Sequence, residues 1–179
     1  AERFLIQAYK VHGNKPQVLL RQALQQLYQD WGTALMEQET PDVKQAFFSY
    51  VLARLYAPTP SVELNRLIAD AAMPVIDDYS AKKQYPQAIA VAQYSVQALP
   101  VLQSWLALAK VLQQAQQIPQ AIAAYRAVYR LNSALAQGPL ALLYAQQAEN
   151  ELTLLQTLTA QRLFKKVQRF DPTFKVPYD

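Results

Sequence analysis

The segment Tyr85-Pro86-Gln87-Ala88-Ile89-Ala90 returns 33 residues later as Ile118-Pro119-Gln120-Ala121-Ile122-Ala123. A near-copy at this interval marks one supersecondary unit stacked on another, since neither copy can bury its apolar face alone. In each copy Pro stands just inside a helix start, where its missing N–H costs nothing and its fixed φ is already helical. Small and branched apolar residues follow, and these suit close contact between helices. A weaker echo, Lys15-Pro16-Gln17-Val18-Leu19-Leu20, lies 70 residues before the first copy, about two repeat lengths. The pattern predicts an all-α chain built of repeated helix pairs.

Composition agrees. Three Gly in 179 residues disfavour tight β-hairpins, while abundant Ala, Leu and Gln favour helix. Pro16, Pro41, Pro60, Pro86 and Pro119 each precede an amphipathic run and read as punctuation. Pro74 breaks this rule and predicts a kink or an interruption. The absence of Cys removes disulfides, thiol catalysis and thiolate zinc sites. No run approaches the roughly 18 apolar residues of a membrane span. The chain opens on Ala1 with no Met, so a processed protein or an excised piece of a longer one is expected, and any targeting or anchoring segment upstream would be invisible.

Trp105-x₂-Leu108-Ala109-x₂-Leu112, followed after a turn by Ala121-x₃-Tyr125 and Ser133, resembles the tetratricopeptide repeat (TPR), a pair of antiparallel helices. Small residues fall at Ala109 and Ala121, where the two helices must approach. Large ones fall at Trp105, Leu108, Leu112 and Tyr125, where packing needs volume. Leu112 for Tyr and Ser133 for Pro depart from the family pattern. A preceding unit, Ala72-x₂-Val75-Ile76-x₂-Tyr79 with Ala88-x₃-Ala92 and Pro100, matches less well. Ile76 is bulky where a small residue is usual, and Ala92 is small where an aromatic is usual. A following unit ends in Ala160-x₃-Phe164 and Asp171-Pro172. Its second helix lies 39 residues after the previous one, about five beyond the usual interval. We expect its first helix to begin near Gly138-Pro139, carrying Leu142, Leu143 and Gln146. The extra length is expected near Ala148–Leu152, as a longer second helix or an extended turn.

Upstream the pattern fades. Phe4, Leu5, Ala8, Tyr9 and Gly13-Asn14 resemble a repeat whose first helix is cut short. Pro41–Tyr56 and Pro60–Ala72 read as a divergent helical pair, the first with a stripe of Val43, Phe47, Tyr50, Val51, Arg54 and Leu55. The expectation is a single domain over 1–179, with divergent helices over 1–66 and about three TPR-like units over 67–179, stacked as an α-solenoid.

Catalytic patterns are missing. His12, the single His, sits beside Gly13-Asn14 at an apparent helix end, where a cation satisfies the last carbonyls. Asp77 and Asp78 are adjacent and so point about 100° apart on a helix, which is poor geometry for a shared proton or metal. Glu37 and Glu39 are the other close acidic pair. No phosphate-cradling Gly loop and no Gly-x-Ser-x-Gly elbow is present. No enzyme activity, cofactor or metal is expected. Of the Tyr residues, Tyr9, Tyr79 and Tyr125 fall at packing positions. Tyr56, Tyr85, Tyr144 and Tyr178 are candidates for partial exposure.

The resemblance implies that the first helix of each unit lines a concave surface. With Trp105, Leu108 and Leu112 inward, the concave side of that unit carries Gln103, Leu106, Lys110 and Gln113. The neighbours supply Asp70, Met73, Asp77 and Ser80 on one side and Gln137, Ala141 and Tyr144 on the other. Six residues form the candidate binding site: Gln103, Leu106, Lys110, Gln113, Asp77 and Tyr144. Family resemblance makes the ligand a peptide or another protein's surface, and the role that of a scaffold or assembly factor. One TPR subclass clamps chaperone C-terminal carboxylates with Lys, Arg and Asn on these helices. Here Lys110 alone resembles that set and Asp77 would repel an acidic tail, so that mode is not expected.

A second reading is polyanion or nucleic-acid binding through Arg162, Lys165, Lys166 and Arg169, opposite an apolar face of Leu163, Phe164, Val167 and Phe170. The net charge of +4 is compatible with it. A third is self-association as a structural module. The expected setting is bacterial, in the cytoplasm or cell envelope, as a free chain or a soluble domain of a larger membrane-associated protein.

Overall fold

The computed structural model describes residues 16–153 and 157–175, and among these every regular element is an α-helix. They are α1 (Pro16–Met36), α2 (Val43–Tyr56), α3 (Val62–Ala81), α4 (Tyr85–Ala98), α5 (Leu102–Gln114), α6 (Ile118–Leu131), α7 (Ser133–Thr153) and α8 (Thr157–Phe170). Each helix packs on the next, and α3 also touches α5 directly. Expectations at Tyr9, His12, Gly13-Asn14 and Tyr178 lie outside the described residues.

Local chemistry sets the helix ends. Asp42 accepts from the Gln45 N–H at 3.0 Å, and the Ser61 hydroxyl accepts from the Leu64 N–H at 3.0 Å. Both close orphan donors of a first turn. α4 and α6 lack such side-chain caps and instead place Pro86 and Pro119 in the first turn. The turns that precede them are copies of one another. Lys83 and Gln116, 33 residues apart, hold φ of 56° and 58°. Lys83 N–H donates to Ser80 O at 2.9 Å and Gln84 N–H to Tyr79 O at 2.8 Å. Gln116 N–H donates to Gln113 O at 3.0 Å and Gln117 N–H to Leu112 O at 2.9 Å. This is the Schellman pattern, twice, with a left-handed residue that is not glycine.

The repeat seen in the sequence is therefore also a repeat of backbone geometry. The pair α5 and α6 occupies 102–114 and 118–131, as the spacing predicts. Ala109 and Ala121 are fully buried, Leu108, Leu112 and Tyr125 nearly so, and Trp105 packs half-buried against the same core. One contiguous buried cluster runs from Leu24 through Tyr50, Ile68, Ala92, Val128 and Leu143 to Val167.

Four expectations are corrected. Pro60–Ala72 and the helix proposed at Ala72–Tyr79 are one element, since α3 runs unbroken through Pro74; residue 66 thus lies inside a helix. The first helix of the last unit does not start at Gly138-Pro139 but at Ser133. Its 21 residues, against 13 in α5, take up the added length, while α8 keeps the 14 residues of α6. On α2, Phe47 and Tyr50 are buried as expected, but Leu55 is 69% exposed. Finally Tyr144, expected to be partly exposed, is buried; Tyr79 and Tyr125 are core, and Tyr56 and Tyr85 half-buried.

Candidate functional site

Where α3 meets α5 the two helices leave a groove of about 360 Å³. Its floor is apolar: Met73, Ile76, Leu106, Ala107 and Val111. Its rim is polar: Asp77 and Ser80 from α3, Gln103, Lys110 and Gln114 from α5. Helical spacing explains the convergence, because 73, 76, 77 and 80 share one face of α3, and 103, 107, 110 and 114 share one ridge of α5. The opposite faces, with Ala71, Ala72, Val75, Leu108 and Leu112, are buried in the core.

Four of the six expected site residues, Asp77, Gln103, Leu106 and Lys110, lie together here. Two do not. Gln113 faces α6 and accepts a hydrogen bond from the Tyr125 hydroxyl at 2.9 Å. Burial holds the Tyr125 phenol above its ordinary pKa, so it remains a donor at neutral pH. Gln114, one residue on, lines the groove in its place. Tyr144 is packed between α7 and α8, stacked on Phe170 at 5.8 Å with the Lys166 ammonium 5.3 Å from its ring centroid.

The charges of the rim are uncommitted. Asp77 and Lys110 make no ion pair or side-chain hydrogen bond among the described residues. Asp78 behaves differently and binds Lys82 at 2.7 Å, so the adjacent carboxylates point apart as expected. The Ser80 hydroxyl is buried yet has no hydrogen-bond partner. Ile76, Ala107, Val111 and Gln114 are the lining residues that sequence reasoning missed. Ile76 reads as a packing position in the repeat, and the direct contact of α3 with α5 brings all four to the groove.

On the far helices Leu163, Phe164 and Val167 are buried while Arg162, Lys165, Lys166 and Arg169 are exposed, as the sequence predicts. Among the described residues no three His, Asp or Glu side chains gather in a metal-binding cluster, and no helix is long and apolar enough to cross a membrane. No protein-family model matches the chain, and no curated protein matches it in sequence.

Proposed function

We propose that the chain is a TPR-like solenoid of antiparallel helix pairs that serves as a protein-binding scaffold or assembly factor, with the α3–α5 groove as its docking site. The observation that carries this reading is the combination of an apolar floor, an unpaired Asp77 and Lys110 on the rim, and an unpartnered Ser80 hydroxyl beside them. Such a groove suits a peptide that inserts one or two apolar side chains between the helices and lays its backbone across the amides of Gln103 and Gln114. Charges of both signs on the rim select against a uniformly acidic or basic tail.

The test begins with selection of peptides from a displayed library against the parent chain. The affinity of the tightest peptide is then measured on a Lys110→Glu/Gln114→Ala variant. Both positions are exposed, so the fold is expected to change by no more than about 0.5 kcal/mol. Peptide affinity should fall at least about tenfold, the usual result of reversing an interface charge and removing a polar partner. Unchanged affinity would place the docking surface elsewhere.

A further inference from the structure

A second concavity lies between α6, α7 and α8, with a volume of about 190 Å³. Three arginines line it: Arg126 and Arg130 from α6, and Arg169 from α8. Its remaining walls are Tyr129, Leu140 and Phe170. The Tyr129 and Phe170 rings meet edge to face at 5.4 Å and 87°, and Tyr129 is 40% exposed. From this arrangement we infer that the hollow is an anion site for the phosphoryl group of a small phosphate monoester.

The charge here is uncompensated. α6 and α8 together carry Arg126, Arg130, Arg162, Lys165, Lys166 and Arg169, and no Asp or Glu. The whole chain has a net charge of +4, so these six cations leave the rest of it at −2. None of the three arginines of the hollow has an ion pair or hydrogen bond among the described residues. The acid nearest in sequence, Asp171, is already engaged, accepting from Thr173 N at 3.0 Å and Thr173 Oγ1 at 2.6 Å. Arg126 and Arg130 are four apart on one helix, a like-charge spacing that costs helix stability. Positions that sacrifice stability are common where a ligand supplies the missing charge.

The ligand class follows from the donors. Arg guanidinium is a planar fork that meets carboxylate or phosphate in a bidentate manner. Three of them around one hollow exceed what a single carboxylate neutralises. A phosphate monoester carries roughly −1.5 to −2 at neutral pH and offers three acceptor oxygens. The ring edges of Tyr129 and Phe170 supply apolar contact for the organic part of the ester. A hollow smaller than the roughly 300 Å³ of ordinary ligand pockets, walled by three helices, accepts one such group better than a strand of phosphates.

Calorimetric titration of the full chain at about 0.15 M salt, where the Debye length is about 8 Å, tests this, with phenyl phosphate as probe and benzoate, benzenesulfonate and a short oligothymidylate as comparators. We expect saturable one-to-one binding of phenyl phosphate, about tenfold tighter than either monoanion. Binding should weaken as pH falls through about 6, where the phosphate dianion becomes a monoanion; the lining holds no His, Asp or Glu. Arg130→Gln/Arg169→Gln should lose at least about tenfold in affinity while melting no lower than the parent, since it relieves repulsion. Arg162→Gln/Lys165→Gln, on the same basic face but outside the hollow, should change affinity by less than about twofold. Absent or non-saturable phenyl phosphate binding would overturn the assignment. So would equal losses in the two double variants. Oligothymidylate binding tighter than phenyl phosphate and equally sensitive to both pairs would replace it with a diffuse nucleic-acid surface.

Discussion

At Gly32 a Cβ would stand 2.6 Å from the Tyr50 ring, and Tyr50 is only 2% exposed. The ring has little room to retreat, with Thr33 Oγ1 3.4 Å from its hydroxyl. Two effects compete in Gly32→Ala: helix propensity favours Ala by about 1 kcal/mol, and overpacking a filled site costs about 1–3 kcal/mol. Overpacking wins, so the variant should melt below the parent; a higher melting temperature would show that α1 and α2 can separate at this point. Ala121 poses the same question in the repeat. Ala121 is 0% and its neighbour Ala124 3% exposed, so both are core. The informative contrast is with exposed Ala123. Ala121→Leu should cost about 1–3 kcal/mol and Ala123→Leu less than about 0.5 kcal/mol, read from chemical denaturation. Packing positions such as Ala109, Ala121 and Tyr125 were legible because their spacing alone determines the face they share. Gln113 and Gln114 were not, since both are polar and lie within about 100° of each other on α5. What separates them is the Tyr125 hydroxyl, twelve residues downstream, which needs an acceptor and takes Gln113.

Elements were legible where a turn carries its own signal, and illegible where a signal is overridden. The turns at Lys83 and Gln116 precede copies of one motif and fold alike, with the same two Schellman hydrogen bonds. Pro74 and Gly138-Pro139 are, by contrast, signals for a helix end that the tertiary structure overrules. Ala71, Ala72, Val75 and Ile76 around Pro74, and Ala136, Leu140 and Leu143 around Pro139, are buried, and their burial offsets the local backbone cost. A prediction belongs to the turns. A non-Gly residue with left-handed φ costs about 1–2 kcal/mol, against about 0.4–1 kcal/mol for the greater unfolded-state freedom of glycine. Lys83→Gly and Gln116→Gly should therefore each stabilise the chain by roughly 0.5 kcal/mol, and together additively. Denaturant midpoints check this, and a loss in either variant would mean that its side chain holds the turn. At the far end, the Asp171 carboxyl sits below its ordinary pKa because Thr173 Oγ1 and N–H donate to it. That contribution is present above the unfolded value of 3.8 and is lost as pH falls through the lower folded value.

Over the whole molecule, consecutive packing of α1 to α8 buries one continuous core, and the additional contact of α3 with α5 opens a groove on it. The general position of that groove was readable from the repeat register, because residues outside the packing set of two first helices must share a surface. Its apolar floor was not, because a sequence does not distinguish an apolar residue filling the core from one exposed between two helices. A protein segment received by this groove must slow amide exchange along both of its walls. Amide hydrogen exchange of the chain, with and without a saturating selected peptide, tests it most directly. Added protection is expected across 73–80 and 103–114, with 119–131 unchanged. Protection confined to α6 and α8, with none at Asp77, Leu106 and Lys110, would contradict it.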